Sequence, residues 1–221
     1  MFKETASYFY NTVLDFVFPP ACFYCRSFLE KRAVFCKSCL GHIIPVVTKT
    51  VEVTATKKVK VFAVADYKEP LRSLILAKGR SDIVAARQLG QLIWDMTHIK
   101  NMEFDFIVPV PLHWSRFAKR GFNQAQEMAR VLSQKSGASV LKILKRVKKT
   151  EFQAGLTQDM RVHNVKDAFC FCGTNPEQYK GKRFLVVDDL MTTGSTLKAV
   201  ARELYTLKPA EIMSAVGCRV V

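Results

Sequence analysis

Hydrophobic and polar positions change period several times along the chain, and each change predicts an element boundary. Residues 46–67 (VVTKTVEVTATKKVKVFAVADY) are rich in alternating and β-branched positions, which predicts a hairpin or paired strands. Residues 69–96 repeat apolar positions at helical spacing, with a break near Gly79. Apolar runs at 104–112 (FDFIVPVPL) and 183–189 (RFLVVDD) predict buried strands.

The second half of the chain continues this alternation. One helix is predicted with Asn123 as its N-cap and Gly137 as its stop, and another begins near Ser195. The basic segment 141–149 (LKILKRVKK) predicts a strand or a short helix, and the last strand is predicted within 211–221. Strands that alternate with helices indicate an α/β fold with a doubly wound, mainly parallel sheet.

The first residues are apolar but are not predicted to form a membrane span. Asp15 interrupts the segment 7–22 (SYFYNTVLDFVFPPAC), so the uninterrupted run is too short for a span or a signal peptide. Its apolar positions have helical spacing, which predicts an amphipathic helix packed on the protein's own core. Docking on a membrane surface is the alternative. We therefore expect a cytoplasmic protein, with peripheral attachment at the inner face of the cytoplasmic membrane as a variant of that expectation.

Four of the seven cysteines form two CxxC knuckles, CFYC (Cys22, Cys25) and CKSC (Cys36, Cys39). Two such knuckles can converge four thiolates on one tetrahedral Zn²⁺, so we predict a structural zinc site, with His42 as a spare candidate ligand. A redox CxxC or two structural disulfides are the alternatives. The other three cysteines, Cys170, Cys172 and Cys218, are expected to be buried small hydrophobes. This divides the chain into a helix plus zinc module, residues 1–45, and a larger domain, residues 46–221.

The charge balance points to an anionic partner. The chain has 34 basic and 19 acidic residues, a formal net charge of +15. A protein this basic attracts polyanions such as nucleic acid, acidic lipid or phosphorylated small molecules. A basic surface that only keeps the protein soluble is the alternative.

The stretch FLVVDDLMTTGST, residues 184–196, combines a buried strand, two acids and a hydroxyl-rich turn around one glycine. In an open α/β sheet the ligand site lies beyond the carboxyl ends of the strands, where Asp188 and Asp189 fall. The following backbone N–H groups and hydroxyls form an anion cup at a helix N-terminus. Carboxylates suit sugar hydroxyls or Mg²⁺, and the cup suits a phosphate, so the pattern predicts a phosphorylated ribose as ligand. The stretch matches neither a P-loop nor GxGxxG.

Residue by residue, that stretch resembles the phosphoribosyl pyrophosphate (PRPP) signature of type I phosphoribosyltransferases. The resemblance implies the type I phosphoribosyltransferase fold, PRPP as ligand and Mg²⁺ bound with it. It implies that Asp188 and Asp189 bind the ribose hydroxyls. The 5-phosphate would be held by Thr192, Thr193, Gly194, Ser195 and Thr196.

Further segments are similar to the ComF family of competence proteins. They are VPVPL (108–112), RFAKRGFNQAQEMAR (116–130), KTEFQAGLTQDMRVHNVKDAF (149–169) and the four-cysteine module. This resemblance implies a role in natural transformation, in which single-stranded DNA enters the cytosol beside a helicase-like protein and an inner-membrane channel. It implies pyrophosphate contacts from Pro111, Leu112, Arg116, Lys119, Arg120 and, on a mobile flap, Arg161. Catalytic residues stay unassigned, with Asp188, Asp189 and Arg161 as candidates.

Three functional hypotheses follow. The first is a PRPP-binding module that handles single-stranded DNA in a sequence-tolerant, salt-sensitive way. Its DNA-binding candidates are Lys57, Lys58, Lys60, Arg116, Arg120, Lys142, Lys145, Arg146, Lys148 and Lys149, with exposed aromatics such as Trp114 as stacking partners. The second is an active phosphoribosyltransferase with an unidentified acceptor. The third is an adaptor that docks a helicase or a channel through its zinc module and N-terminal helix.

Overall fold

The computed structural model describes residues 19–46, 48–77, 83–148 and 168–220, apart from the side chain of Lys119. The chain divides into two units, Met1–Ile43 and Ile44–Val221. The predictions of an N-terminal amphipathic helix and of a break near Gly79 fall outside the described residues, as do Lys149 and Arg161. No helix within the described ranges is both long and apolar enough to cross a bilayer.

The described part of the first unit, residues 19–43, consists of short turns and one short helix. An antiparallel bridge joins Ala21 to Phe28, and the Phe23 N–H donates to the Val34 carbonyl at 3.0 Å. Helix α1, Lys37–Gly41, begins at Cys36, whose sulfur accepts from the Cys39 N–H at 3.4 Å. Such a short segment buries little apolar surface, so a cross-link such as a metal ion would be needed to stabilise it.

The second unit is organised around a six-stranded sheet of order β1-β2-β8-β7-β3-β4. Its strands are β1 Lys49–Glu52, β2 Lys58–Asp66, β3 Phe106–Pro109, β4 Ser139–Val140, β7 Arg183–Met191 and β8 Glu211–Arg219. Two further strands, β5 Leu144–Arg146 and β6 Phe169–Phe171, form a separate antiparallel pair. The pairing of β1 with β2 is antiparallel, which confirms the predicted hairpin, and all other pairings in the main sheet are parallel.

The described residues of this unit contain five α-helices: α2 Leu71–Ala77, α3 Ile83–Met96, α4 Trp114–Arg120, α5 Gln124–Ser136 and α6 Ser195–Tyr205. The predicted limits of α5 are confirmed: the Asn123 side chain accepts from the Ala125 N–H, and Gly137, at a φ of 79°, ends the helix. The predicted start of α6 at Ser195 is confirmed as well. Leu89 of α3 and Met128 of α5 are fully buried between these helices and the sheet.

Two features differ from the sequence-based expectation. Strand β7 does not end at the paired acids but continues to Met191, because Leu190 still pairs with Cys218 of β8. Of the three cysteines expected to be buried, only Cys218 is; Cys170 is half-buried and Cys172 is exposed. Cys218 lies in a central strand, whereas the other two lie in or next to the two-stranded pair, which covers less of each residue.

Gly217 of β8 allows α3 to lie directly on the sheet. A Cβ at this position would be 2.6 Å from a methyl carbon of Leu89, itself fully buried. We expect Gly217→Ala to lower the free energy of unfolding by about 1–3 kcal/mol, because the overlap must be relieved inside a packed core. Denaturant unfolding followed by circular dichroism measures this. Gly41→Ala is the control, since no atom lies within 4 Å of its Cβ position; equal stability of the two variants would contradict the prediction.

Candidate functional site

The four cysteines of the two knuckles form one cluster. Their sulfur atoms all lie within 4.8 Å of one another, and the Sγ atoms of Cys25 and Cys36 are 3.7 Å apart. The predicted convergence is therefore confirmed, and the cluster could hold a metal ion. All seven cysteines are free thiols, so the structure contains neither of the two disulfides weighed as an alternative. His42 does not belong to this cluster, and its Nδ1 lies 2.8 Å from the Ser38 carbonyl oxygen.

Local hydrogen bonds and burial give these thiols unequal acidities. Hydrogen bonds from the Ser27 side chain and backbone lower the pKa of Cys25 to about 6, with the Ser27 Oγ 3.0 Å from the sulfur. Burial, with the neighbouring sulfurs, raises the pKa of Cys39 to about 12. Four adjacent thiolates repel one another unless a cation sits among them. Four sulfur ligands at this spacing are the donor set that tetrahedral Zn²⁺ prefers.

The second candidate site lies at the carboxyl edge of the main sheet. Asp188 lines a pocket together with Thr192, Gly194, Ser195 and Thr196, so the structure brings these five residues together. Asp189 does not line this pocket; its backbone N–H donates to Oδ1 of Asp188 at 2.8 Å. Neighbouring side chains of a strand point to opposite faces, which separates the two carboxylates.

The loop between β7 and α6 shapes the floor of this pocket. Gly194 adopts a left-handed conformation, with a φ of 75°, as the N-cap of α6. Thr193 does not line the pocket; its hydroxyl donates to the Ser195 hydroxyl at 3.1 Å and accepts from the Ser195 N–H at 3.4 Å. The first N–H groups of a helix lack intrahelical partners and carry partial positive charge, so this pocket favours an anion.

Two arginines bring positive charge to the paired acids. Burial lowers the pKa of Arg116, Arg120 lowers it further, and Asp189 opposes both effects. Burial likewise lowers the pKa of Arg146, with Arg116 adding to the shift and Asp188 opposing it. Arg116 lies on α4 and Arg146 on β5, so residues of two elements distant in sequence interact electrostatically with the acids of β7.

A groove lies beside this cluster, which we call the Trp114 groove. It includes the apolar side chains of Pro111, Leu112, Trp114 and Phe117 and the basic side chains of Lys142, Lys145 and Arg146. Trp114 is 74% exposed and Phe117 is 49% exposed. Arg146 therefore lines the groove and also faces Asp188.

The remaining basic candidates lie elsewhere. Lys60 pairs with Met213 of β8, which in turn pairs with Leu185 of β7. Lys60 therefore lies toward the amino ends of the strands. Lys57 stacks over the Tyr205 ring at 4.7 Å, and Lys58 pairs with Glu52 at 3.2 Å. The structure therefore does not bring this group to the acids. Lys148 is exposed beyond the end of β5.

Comparison with known proteins identifies the family. The family model described as "Phosphoribosyl transferase domain" matches residues 82–220. Competence protein F of Haemophilus influenzae is 33% identical over 201 residues, which cover 87% of this chain and 82% of that protein. The chain belongs to the ComF family. Its fold is thus the type I phosphoribosyltransferase fold with a four-cysteine cluster near the N-terminus, as the sequence predicted.

Other relatives of this ComF-family protein agree. DNA utilization protein YhgH of Escherichia coli K12 is 31% identical over 167 residues, 72% of each chain. Competence protein ComFC of Bacillus subtilis is 32% identical over 98 residues, 43% of this chain and 36% of that protein.

Sequence reasoning missed one residue that lines the pocket, Ser214, and the N-cap of α4, His113. Ser214 of β8 lines the pocket at 1% exposure, and its Oγ has no hydrogen-bond partner among the described residues. A lone serine within the apolar run of β8 was the available signal. His113 is buried, and its Nδ1 caps α4 by accepting from the Ser115 N–H at 3.3 Å. Histidine is an uncommon N-cap, so the sequence carried no clear sign of this role.

Proposed function

We propose that this ComF-family protein binds PRPP at the carboxyl edge of its sheet and handles single-stranded DNA during uptake into the cytosol. The observation that carries the PRPP proposal is the pocket that Asp188 shares with Thr192 and residues 194–196. A sugar with vicinal hydroxyls and a phosphate suits a carboxylate and an anion cup in one pocket.

The roles of individual residues follow from this arrangement. Asp188 and Asp189 accept hydrogen bonds from the ribose hydroxyls, and residues 192–196 donate to the 5-phosphate. Arg116, Arg120 and Arg146 neutralise the pyrophosphate, since Arg116 and Arg146 lie within electrostatic reach of the acids. Leu112 adds its backbone N–H, whereas Pro111 has none. Lys119 and Arg161 stay proposals from the family resemblance.

Mg²⁺ accompanies PRPP in this proposal. Mg²⁺ usually keeps several water ligands and is bound by phosphate oxygens of the substrate together with one or two protein carboxylates. Asp188 and Asp189 are the carboxylates available at the pocket, either by direct contact or through water. The metal offsets the repulsion between the acids and the ligand's phosphates.

Single-stranded DNA is the proposed macromolecular partner. The net charge of +15 supports this, as do relatives named for competence and for DNA utilization. A helicase-like protein and an inner-membrane channel are the proposed protein partners, with the zinc module as the docking element. The protein would then act in the cytoplasm, at the inner face of the membrane.

Turnover is the second candidate function. The positive charge of Arg116 and Arg146 beside the acids favours it, because displacement of pyrophosphate from the anomeric carbon requires stabilisation of the leaving group's charge. Release of pyrophosphate from PRPP in a screen of nucleobase acceptors tests this activity directly. Binding of PRPP without release, across the screen, favours the binding module.

A salt series tests the DNA-binding proposal. If about four phosphates are neutralised, log K for a labelled oligothymidylate should fall with log salt at a slope of about −3. Fluorescence anisotropy at several salt concentrations measures the slope, with and without Mg²⁺ and PRPP. A slope near zero, or no binding at low salt, would contradict the proposal. Calorimetric titration with PRPP and Mg²⁺, in the absence of DNA, tests the PRPP pocket independently.

A further inference from the structure

The Trp114 groove combines two features that are seldom neighbours on a solvated surface. Trp114 and Phe117, one helical turn apart on α4, expose 74% and 49% of their surface. Large aromatic side chains that stay exposed mark binding surfaces when they cluster. The same groove is lined by Lys142, Lys145 and Arg146.

This combination has a specific complement. An unpaired base presents an aromatic face that stacks on an indole ring, while the phosphates on either side of it bind to lysine and arginine. The described lining of this groove contains no acidic side chain, so its charge complements an anionic partner. The charge and the aromatic surface together favour a single-stranded nucleic acid.

Arg146 connects the groove electrostatically with the pocket at the end of β7. Arg146 lines the groove and interacts with Asp188, while Arg116, on the same helix as Trp114, interacts with Asp189 and with Arg146. Arg146 therefore lines the groove and acts electrostatically on a residue that lines the pocket, whereas Arg116 lines neither. A cation that binds the pyrophosphate of one ligand is less available to the phosphates of another.

We propose that the Trp114 groove binds an unpaired base of single-stranded DNA, stacked on Trp114, and that PRPP weakens this binding because Arg146 serves both ligands. The proposal rests on the proposed function and adds a location and a regulation to it. By linkage, the strand must weaken PRPP binding by the same factor. Strand release on PRPP binding would let the protein pass DNA onward rather than retain it.

The test uses the full-length protein and a labelled oligothymidylate of about 20 nucleotides, at fixed low salt. Trp114→Ala should raise the Kd about tenfold, whereas Trp114→Phe should retain most of the affinity. Phe28→Ala is the matched control, since Phe28 is an exposed aromatic of the first unit, at 79% exposure. In the wild type, the strand should quench tryptophan emission, and Trp114→Phe should lose that quenching although it still binds. Circular dichroism checks that each variant is folded.

Each outcome has a distinct meaning. If the wild type binds no oligothymidylate, the proposed function fails before the groove is at issue. If the wild type binds but Trp114→Ala binds as tightly, or if Phe28→Ala loses as much affinity, the groove is not the base site. Equal quenching by thymidine monophosphate at the same concentration would assign the groove to a free nucleotide instead of a strand. Saturating PRPP with Mg²⁺ should raise the Kd of the strand about tenfold; an unchanged Kd would overturn the shared-arginine coupling.

Discussion

Cys39→Ser is expected to remove the metal from the protein and to unfold the first unit. Four thiolates within 4.8 Å of one another repel unless a cation binds them, and burial raises the pKa of Cys39, which opposes its ionisation without one. Zinc supplies about 10–16 kcal/mol of apparent binding free energy to small zinc-stabilised peptides, so most of the unit's stability depends on it. Serine is a poor zinc ligand because its hydroxyl stays protonated at neutral pH.

The zinc content, measured by mass spectrometry after gel filtration, should fall from about one per chain to none. Limited proteolysis should then cleave readily within residues 19–43, while the second unit remains intact. Cys172→Ser is the matched control, because this thiol is exposed and lies outside the cluster. The zinc assignment fails if Cys39→Ser retains the metal, or if the wild type contains none. If the wild type contains no metal and its cysteines do not react as free thiols, the two structural disulfides would be the better interpretation.

The features that could be predicted from the sequence depend on local chemistry. The limits of α5 follow from an asparagine N-cap and a glycine stop, both of which act within one turn. The cysteine cluster follows from the spacing of two knuckles. The pocket at residues 188–196 follows from a strand-turn-helix whose parts are adjacent in the chain.

The features that escaped prediction depend on pairing between distant residues. Arg146 interacts electrostatically with Asp188, which belongs to a different sheet. The position of Arg146 depends on the pairing of β5 with β6, in which it lies opposite Phe169, 23 residues further along the chain. No periodicity in a basic segment reports such a pairing. The extension of β7 past the acids likewise depends on β8. The exposure of Cys172 reflects its position in a small sheet rather than its own hydrophobicity.

The same distinction explains why the predicted basic binding residues lie at opposite ends of the sheet. The sequence marks lysines and arginines equally, and only the fold decides which end of the sheet they reach. Lys57, Lys58 and Lys60 lie toward the amino ends of the strands, whereas Arg116 and Arg146 reach the acids at the carboxyl ends. Ligand sites of parallel sheets lie at the carboxyl edge, so the proposal of PRPP binding rests on Arg116 and Arg146 rather than on the three lysines.

Asp188→Asn combined with Asp189→Asn is expected to weaken PRPP binding at least about 100-fold. A hydrogen bond to a charged acceptor contributes about 1.5–3 kcal/mol, and the double variant loses the charge of two such acceptors together with any contact to Mg²⁺. Calorimetric titration in the presence of Mg²⁺ measures this. Asp95→Asn with Glu103→Gln is the matched control, since both carboxylates are exposed and neither lines the pocket.

The single variants make the prediction sharper. Asp188 lines the pocket and Asp189 does not, so Asp188→Asn should weaken PRPP binding more than Asp189→Asn. Inorganic phosphate should bind the double variant at least as tightly as the wild type, because removal of the carboxylates relieves repulsion while the donors of residues 192–196 remain. Unchanged PRPP affinity in the folded double variant would remove the ligand from this pocket. If the double variant loses phosphate binding as well as PRPP binding, the substitutions distort the loop. The two acids would then act on the shape of the loop rather than on the ribose.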